Sequence, residues 1–239
     1  NRKNNKGEPL KESKDFYPNL EKKIPGFISV DSGLNRFVWN MQYPSATEAP
    51  GVMWGATTEG PKAVPGTYKV RLKIGDSIIS TKQFEIRKDP RISTSNADFS
   101  EQFQLLMKIN KKVSETHDAI NSLRDIRGQI NSVLLKITDT TKAKPIKEIA
   151  SMITDTLSAV EEELVQIKAK SGQDLLNFPM KLNNKLAALT YTVSSADTRP
   201  TKQAYQAYED ISGRIDIQLQ KLKKAVEQLP TFNSLVKEA

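Results

Sequence analysis

The only side chain in this sequence that titrates near neutral pH in its unperturbed state is a single histidine, His117. It lies between Val113 and Ile120 on what the spacing predicts to be the apolar face of a long helix. A catalytic or metal-binding histidine needs partners, and the sequence has no cysteine and no second histidine. We therefore interpret His117 as a structural residue, and we assign no catalytic, cofactor-binding or metal-binding residue.

A run of three carboxylates, from Glu161 to Glu163, is the next group with chemical potential. Consecutive residues of a helix point in different directions. These acids therefore do not form the facing pair that glycoside cleavage requires, and we expect them on a solvent-exposed helix face. The sequence also has no glycine-rich phosphate loop and no nucleophile elbow, so no enzyme class is favoured.

Aromatic side chains in the first third of the chain are candidates for stacking on a sugar. Period-two alternation places Trp39 and Tyr68 on inner faces of predicted strands. We expect Trp54 to be the most exposed ring, because it lies among glycine and proline residues. The candidate binding surface consists of Trp54, Tyr17 and Tyr43, and the other interpretation of these aromatics is that they fill a β-type core.

The second part of the chain, residues 95–239, carries four amphipathic helical patterns with apolar residues at steps of three and four. The predicted helices are residues 96–140, 145–172, 174–194 and 200–230, and Pro179 either kinks the third helix or marks its true start. Pro145 is expected in the first turn of the second helix and Pro230 at the end of the fourth. Asn183 and Asn184 are unusual in a helix interior, and we expect them to bond a neighbouring helix or, alternatively, a ligand. Short connections predict an antiparallel four-helix bundle that folds alone.

Residues 24–91 have the punctuation of a small β module, with Pro-Gly pairs at three positions. The predicted strands are residues 27–30, 37–43, 52–54, 68–74 and 78–87, with a bulge or a barrel-like edge at Lys82. A partial immunoglobulin-like sandwich is the expected fold. Residues 1–23 are polar and are predicted to be a linker or the edge of a truncated domain. The fold class is therefore α+β and multidomain.

Charge and hydropathy limit the partners. The net charge of +8 permits binding to nucleic acid or to anionic surfaces. Lysine and glutamate are interspersed, however, so we expect a mixed basic surface and no nucleic-acid partner. No apolar run is long enough for a membrane span. The chain begins at Asn1 in polar sequence, and the strand count is short for a sandwich, so we expect it to be a piece of a longer protein.

Five motifs occur in a fixed order along the chain. The sequence Gly-Leu-Asn-Arg-Phe-Val-Trp-Asn starts at residue 33, and Leu-Asn-Phe-Pro-Met-Lys-Leu-Asn-Asn-Lys-Leu starts at residue 176. Between them lie three shorter motifs, at Tyr43-Pro44, at residues 60–68 and at residues 88–91. As an ordered set, these motifs resemble the C-terminal region of bacterial sortilin-like, Asp-box (BNR) repeat proteins, which are often called glycosyl hydrolases.

This resemblance implies a parent with an N-terminal β-propeller, followed by the immunoglobulin-like module and the helical region. Any hydrolase site would lie in the propeller, so no catalytic residue is carried over to this chain. The implied role is a non-catalytic accessory region of a secreted or periplasmic protein. Its expected partner is the upstream propeller, with a glycan or another protein as further candidates. Two alternatives are a carbohydrate-binding module and a part of an active glycoside hydrolase.

Overall fold

A computed structural model describes residues 32–52, 56–137 and 140–238 of the chain. The chain divides into two units, Asn1–Asn40 and Met41–Ala239. In the first unit, the described residues 32–40 have no helix or strand. The predicted linker and the predicted strand at residues 27–30 lie outside the described residues.

The second unit contains a β-hairpin followed by helices. The helices are α1 (Asn96–Leu134), α2 (Thr140–Leu164), α3 (Leu182–Val193), α4 (Lys202–Val226) and α5 (Leu229–Lys237), with a 3₁₀ turn at Gly172–Leu176. The first four pack against one another, and α5 packs on α2. Their apolar stripes meet in one core, whose fully buried side chains include Leu105, Ile120, Leu123, Ile153, Leu157, Leu186 and Ile215.

The start of α1 is fixed by a capping box. The Ser95 hydroxyl accepts from the backbone N–H of Asp98 at 3.1 Å, and the Asp98 carboxylate accepts from the backbone N–H of Ser95 at 3.2 Å. Arg199, from the loop between α3 and α4, donates to the same carboxylate at 2.8 Å. The hydrogen bonds that the Asp98 carboxylate accepts lower its pKa, and the bond from the Ser95 side chain has a larger effect than the bond from Arg199. One carboxylate therefore caps α1 and anchors that loop to it.

The helix predictions are correct in outline and wrong at several ends. The first helix runs unbroken through Gly128, as expected, but ends at Leu134. Pro145 lies inside α2, because that helix begins at Thr140. The third helix starts at Leu182, which fits the alternative that Pro179 marks its start, and Gly172–Leu176 forms a separate 3₁₀ turn. Pro230 does not end the helical region, since it occupies the first turn of α5, where its missing N–H costs nothing.

The hairpin consists of β1 (Gly66–Ile74) and β2 (Ser77–Ile86), paired antiparallel. Gly75 provides the positive φ of 56° that the tight turn needs. The register shifts beside Leu72, where Ile79 is the extra residue of a bulge. The predicted bulge at Lys82 is wrong, because Lys82 pairs in regular register with Val70.

The described residues do not form a five-stranded sandwich. Their sheet has two strands, and the predicted strand at residues 37–43 is represented by a single bridge between Gln42 and Lys62. Beyond this bridge the chain keeps only separate backbone bonds to residues 58–61, from Tyr43 N–H to the Pro61 carbonyl at 2.9 Å and from Ala46 N–H to the Thr58 carbonyl at 2.7 Å. The physical reason is that the chain then packs its side chains into the helical core. Gly60 lies against this path, and a Cβ on it would come within 2.0 Å of the Tyr43 carbonyl oxygen.

Candidate functional site

An extended segment, residues 43–52, lies along α1 and is called the strap below. Its small apolar side chains Ala46, Ala49 and Val52 are buried in the same core as the helices. Burial of apolar side chains in a shared core couples the two elements energetically. The strap is therefore part of the helical body and not the surface loop that its proline content suggests.

A row of polar side chains on α1 holds the backbone of the strap. The row recurs at steps of four and three residues and consists of Asn110, Ser114, His117, Asn121 and Arg124. Four of its members donate to carbonyl oxygens, at 3.4 Å to Pro44, 2.6 Å to Thr47, 3.1 Å to Glu48 and 2.7 Å to Pro50. The Ser114 hydroxyl accepts from the Thr47 N–H at 3.1 Å.

The lengths of the two elements match along this row. From Asn110 to Arg124 a helix rises about 21 Å. An extended chain covers about 20 Å from Pro44 to Pro50. The row can therefore bond the strap at successive positions without a gap. Because the bonds go to backbone atoms, they fix the direction and register of the strap independently of most of its side chains.

His117 lies at the centre of this contact and is fully buried. Its Nδ1 donates to the Thr47 carbonyl oxygen at 2.6 Å, and its Nε2 lies 3.4 Å from the Asn183 side-chain nitrogen. That nitrogen also donates to the Val52 carbonyl oxygen at 2.7 Å. A carbonyl partner requires the hydrogen on Nδ1, which leaves Nε2 as the acceptor for Asn183. The neutral ring thus satisfies both of its nitrogens.

Burial lowers the pKa of His117 below its usual range. The Thr47 carbonyl and the carboxylates of Asp118 and Glu48 act in the opposite direction, while Arg124 adds to the lowering. Protonation would also direct a second ring N–H at the Asn183 amide nitrogen, which is itself a donor. His117 is therefore a neutral link between α1, α3 and the strap, a geometry that fits its structural interpretation.

Glu161 is buried, so the prediction of a fully solvent-exposed acidic run is wrong for this residue. Its two carboxylate oxygens accept from Arg124 Nε and Arg127 Nη2, each at 2.6 Å. Glu161 is buried because it follows the buried Val160 on the face of α2 that meets α1. The other two glutamates of the run are exposed, as expected. Arg124, which also bonds the strap, thus links three elements.

A cleft of about 510 Å³ opens between the base of the hairpin and the helices α1 and α3. Phe99, Phe103 and Leu106 of α1 and Tyr191 of α3 line it. Lys88 on its rim donates to two backbone carbonyls of the following loop. Charged residues, among them Glu59, Lys62 and Asp89, line it as well, so the cleft offers a ligand both apolar and charged contacts.

Six of the exposed large apolar side chains in the described part of the chain lie on the hairpin, more than on any other element. Both strands are exposed along almost their whole length. On one face of β1, Val70, Leu72 and Ile74 are 55%, 46% and 69% exposed. On its other face lie three exposed cations, Lys69, Arg71 and Lys73. Apolar groups left in water at this density indicate a surface that another molecule covers.

The predicted aromatic surface can be located only in part. Trp54 and Tyr17 lie outside the described residues. Tyr43 is half-buried, and its ring centroid lies 4.8 Å from that of Phe103 in a tilted arrangement. The grouping of these three residues stays a prediction. Asn183 is buried and bonds a neighbouring helix, as expected, through His117 of α1 at 3.4 Å, and its amide also donates to the Val52 carbonyl oxygen of the strap at 2.7 Å.

No helix in the described part of the chain is long and apolar enough to cross a membrane. Within the same residues, no three histidine, aspartate or glutamate side chains converge as metal ligands. Comparisons with protein families, with curated proteins and with solved structures found no match.

Proposed function

We propose that this chain is a non-catalytic C-terminal accessory region that acts by contact with another domain. The observation that carries this proposal is the row of Val70, Leu72 and Ile74 on an exposed hairpin. Exposed apolar rows of this kind are typical of interaction sites. An apolar row on a sheet contributes to binding when a partner covers it.

The polar groups of the helical body support this role. His117 and Arg124 bond the strap to α1, and Glu161 bonds α2 to α1. These bonds join the strap and the helices into one platform and use the polar groups for structure rather than for reaction. Function by contact requires only such a platform and a surface that is available to a partner.

The proposed partner is the upstream β-propeller that the sequence resemblance implies. In this proposal the hairpin supplies two strands of an immunoglobulin-like module, and the helices form an antiparallel four-helix bundle. The whole parent would be a secreted or periplasmic protein, and any glycoside hydrolase activity would belong to the propeller. The support for this part of the proposal is the ordered set of sequence motifs.

The test is calorimetric titration of the separately expressed propeller domain into this chain. We expect saturable binding that Leu72→Ser weakens, because the substitution removes an exposed apolar contact without disturbing a core. Ile217→Ser is the matched control, since Ile217 is similarly exposed, at 53%, on the outer face of α4. Absence of binding, or equal loss in both variants, would contradict the proposal. Saturable binding of an oligosaccharide with no binding of the propeller would favour the carbohydrate-binding alternative.

A further inference from the structure

We propose that the outer edge of β1 binds an extended segment whose side chains alternate between apolar and acidic. This inference rests on the proposed contact function and names the chemistry of the partner. A segment that adds a strand to a sheet gains affinity from backbone hydrogen bonds and specificity from alternate side chains.

The first support is the open edge itself. In the described part of the chain, β1 pairs with β2 along one edge and with no strand along the other. Residues from Lys69 to Ile74 are all exposed. An exposed edge presents a row of unpaired N–H and C=O groups, which is a template for another strand.

The second support is the strict alternation along this edge. The even positions Val70, Leu72 and Ile74 share one face of the sheet, and the odd positions, which are Lys69, Arg71 and Lys73, share the other. An added strand places its own alternate side chains beside these two rows. Apolar side chains then cover the even row, and carboxylates lie beside the odd row.

A second copy of this chain does not meet these requirements. If two β1 edges pair with faces matched, Lys69, Arg71 and Lys73 of one copy lie beside the same cations of the other. If the register slips by one residue, each cation lies beside an apolar side chain. Neither arrangement offers the complementary charge that favours a cross-strand pair.

An anionic membrane is also a poorer match than a strand. A sheet that lies on a membrane through Val70, Leu72 and Ile74 points Lys69, Arg71 and Lys73 away from the lipid headgroups. An added strand, in contrast, presents side chains to both faces at once. The observed distribution of charge therefore favours a peptide over a lipid surface.

The experiment uses the full chain and a synthetic peptide that alternates glutamate and valine and has the nine-residue length of β1. Binding is measured by calorimetry and located by NMR shifts of labelled protein. We expect saturable binding in the micromolar to millimolar range with shifts in β1. The charge-reversed chain with Lys69→Glu, Arg71→Glu and Lys73→Glu should bind this peptide at least about tenfold more weakly. It should prefer a peptide that alternates lysine and valine.

A matched control carries three charge reversals at exposed lysines of the helices, Lys111→Glu, Lys202→Glu and Lys221→Glu. It has the same net charge as the hairpin variant and should bind the glutamate peptide as the unmodified chain does. Equal weakening in both variants would show a general charge effect and overturn the edge site. Preference for vesicles of anionic phospholipid over the peptide would overturn it as well.

The two proposals fail in different ways. If the propeller domain binds and the charge reversals on β1 leave that binding unchanged, the edge site is wrong and the contact function stands. If the glutamate peptide binds at β1 while the propeller domain does not, the edge site stands and the propeller is the wrong partner.

Discussion

The buried histidine predicts a specific dependence of stability on pH. His117 is the only histidine in the chain, so a change in stability between about pH 7.5 and 5 reports mainly on this residue. Its neutral ring bonds Thr47 and Asn183, and burial lowers its pKa. Acid should therefore destabilise the contact between the strap and the helices.

The sign and size follow from the protons bound by each state. Below about pH 6.5 the unfolded chain takes up a proton on its histidine. The folded chain does so only at lower pH, because its pKa is depressed. The unfolded state then binds more protons, so the free energy of unfolding falls by up to about 1.4 kcal/mol per pH unit. If the folded ring stays neutral, the loss reaches about 2 kcal/mol at pH 5.

The assay is urea unfolding followed by helical circular dichroism at about pH 7.5 and 5. The control is His117→Asn, whose side-chain amide keeps an N–H near the position of Nδ1 but does not titrate. We expect this variant to be less stable than the unmodified chain at about pH 7.5, by about 1–3 kcal/mol, because the asparagine amide reproduces the hydrogen bonds of the imidazole only imperfectly. Its stability should change little between the two pH values. The same pH dependence in both proteins would show that His117 is not the group whose protonation destabilises the fold.

Three further predictions concern the helical body. Glu161→Gln should lower the free energy of unfolding by about 1.5–3 kcal/mol, because it weakens two charge-assisted bonds. Glu162→Gln, at an exposed position, should change it by no more than about 0.5 kcal/mol, and equal effects would contradict the burial of Glu161. Measured by thermal unfolding, Leu222→Ala should lower the free energy of unfolding by about 2–5 kcal/mol, because it truncates a buried side chain. Lys221→Ala should change it little. A larger effect at Lys221 than at Leu222 would mean that the opposite face of α4 is buried. A shortened chain that begins at Ser95 lacks the strap and should be at least about 2 kcal/mol less stable than the full chain, so equal denaturation midpoints would show that the strap contributes nothing.

Elements with a local period were predictable from the sequence. The stripe from Phe99 to Ile130 marks α1, because one face of a helix must bury residues at steps of three and four. The alternation from Tyr68 to Ile74 marks β1 in the same way, and Gly75 marks the turn. In each case, the information lies in neighbouring residues.

The strap could not be predicted, because the side chains of α1 bond its backbone atoms, which every residue has. Such bonds leave no pattern in the sequence of the strap, so the sequence predicts a strand at Val52 instead. The signal was on the other side of the contact, where Asn110, His117 and Asn121 recur at helical spacing beside the apolar stripe of α1. Asparagine in a helix interior is unfavourable unless its amide has a partner.

The burial of Glu161 was missed for a related reason. A run of three acids suggests solvent, yet a helix turns by about 100° per residue, so one member of any such run can face a neighbour. Its partners, Arg124 and Arg127, lie on another helix, and no local pattern connects them with Glu161. Tertiary charge pairs of this kind become visible only when the helices are placed side by side.

The measurement that tests the contact function most directly is amide hydrogen exchange of the full chain with and without the propeller domain. We expect slower exchange in β1 when the partner is present, because a molecule that covers the hairpin shields its amides from water, and unchanged exchange on the outer face of α4. Unchanged exchange in β1, or protection confined to the helices, would contradict the claim that this chain acts through its hairpin.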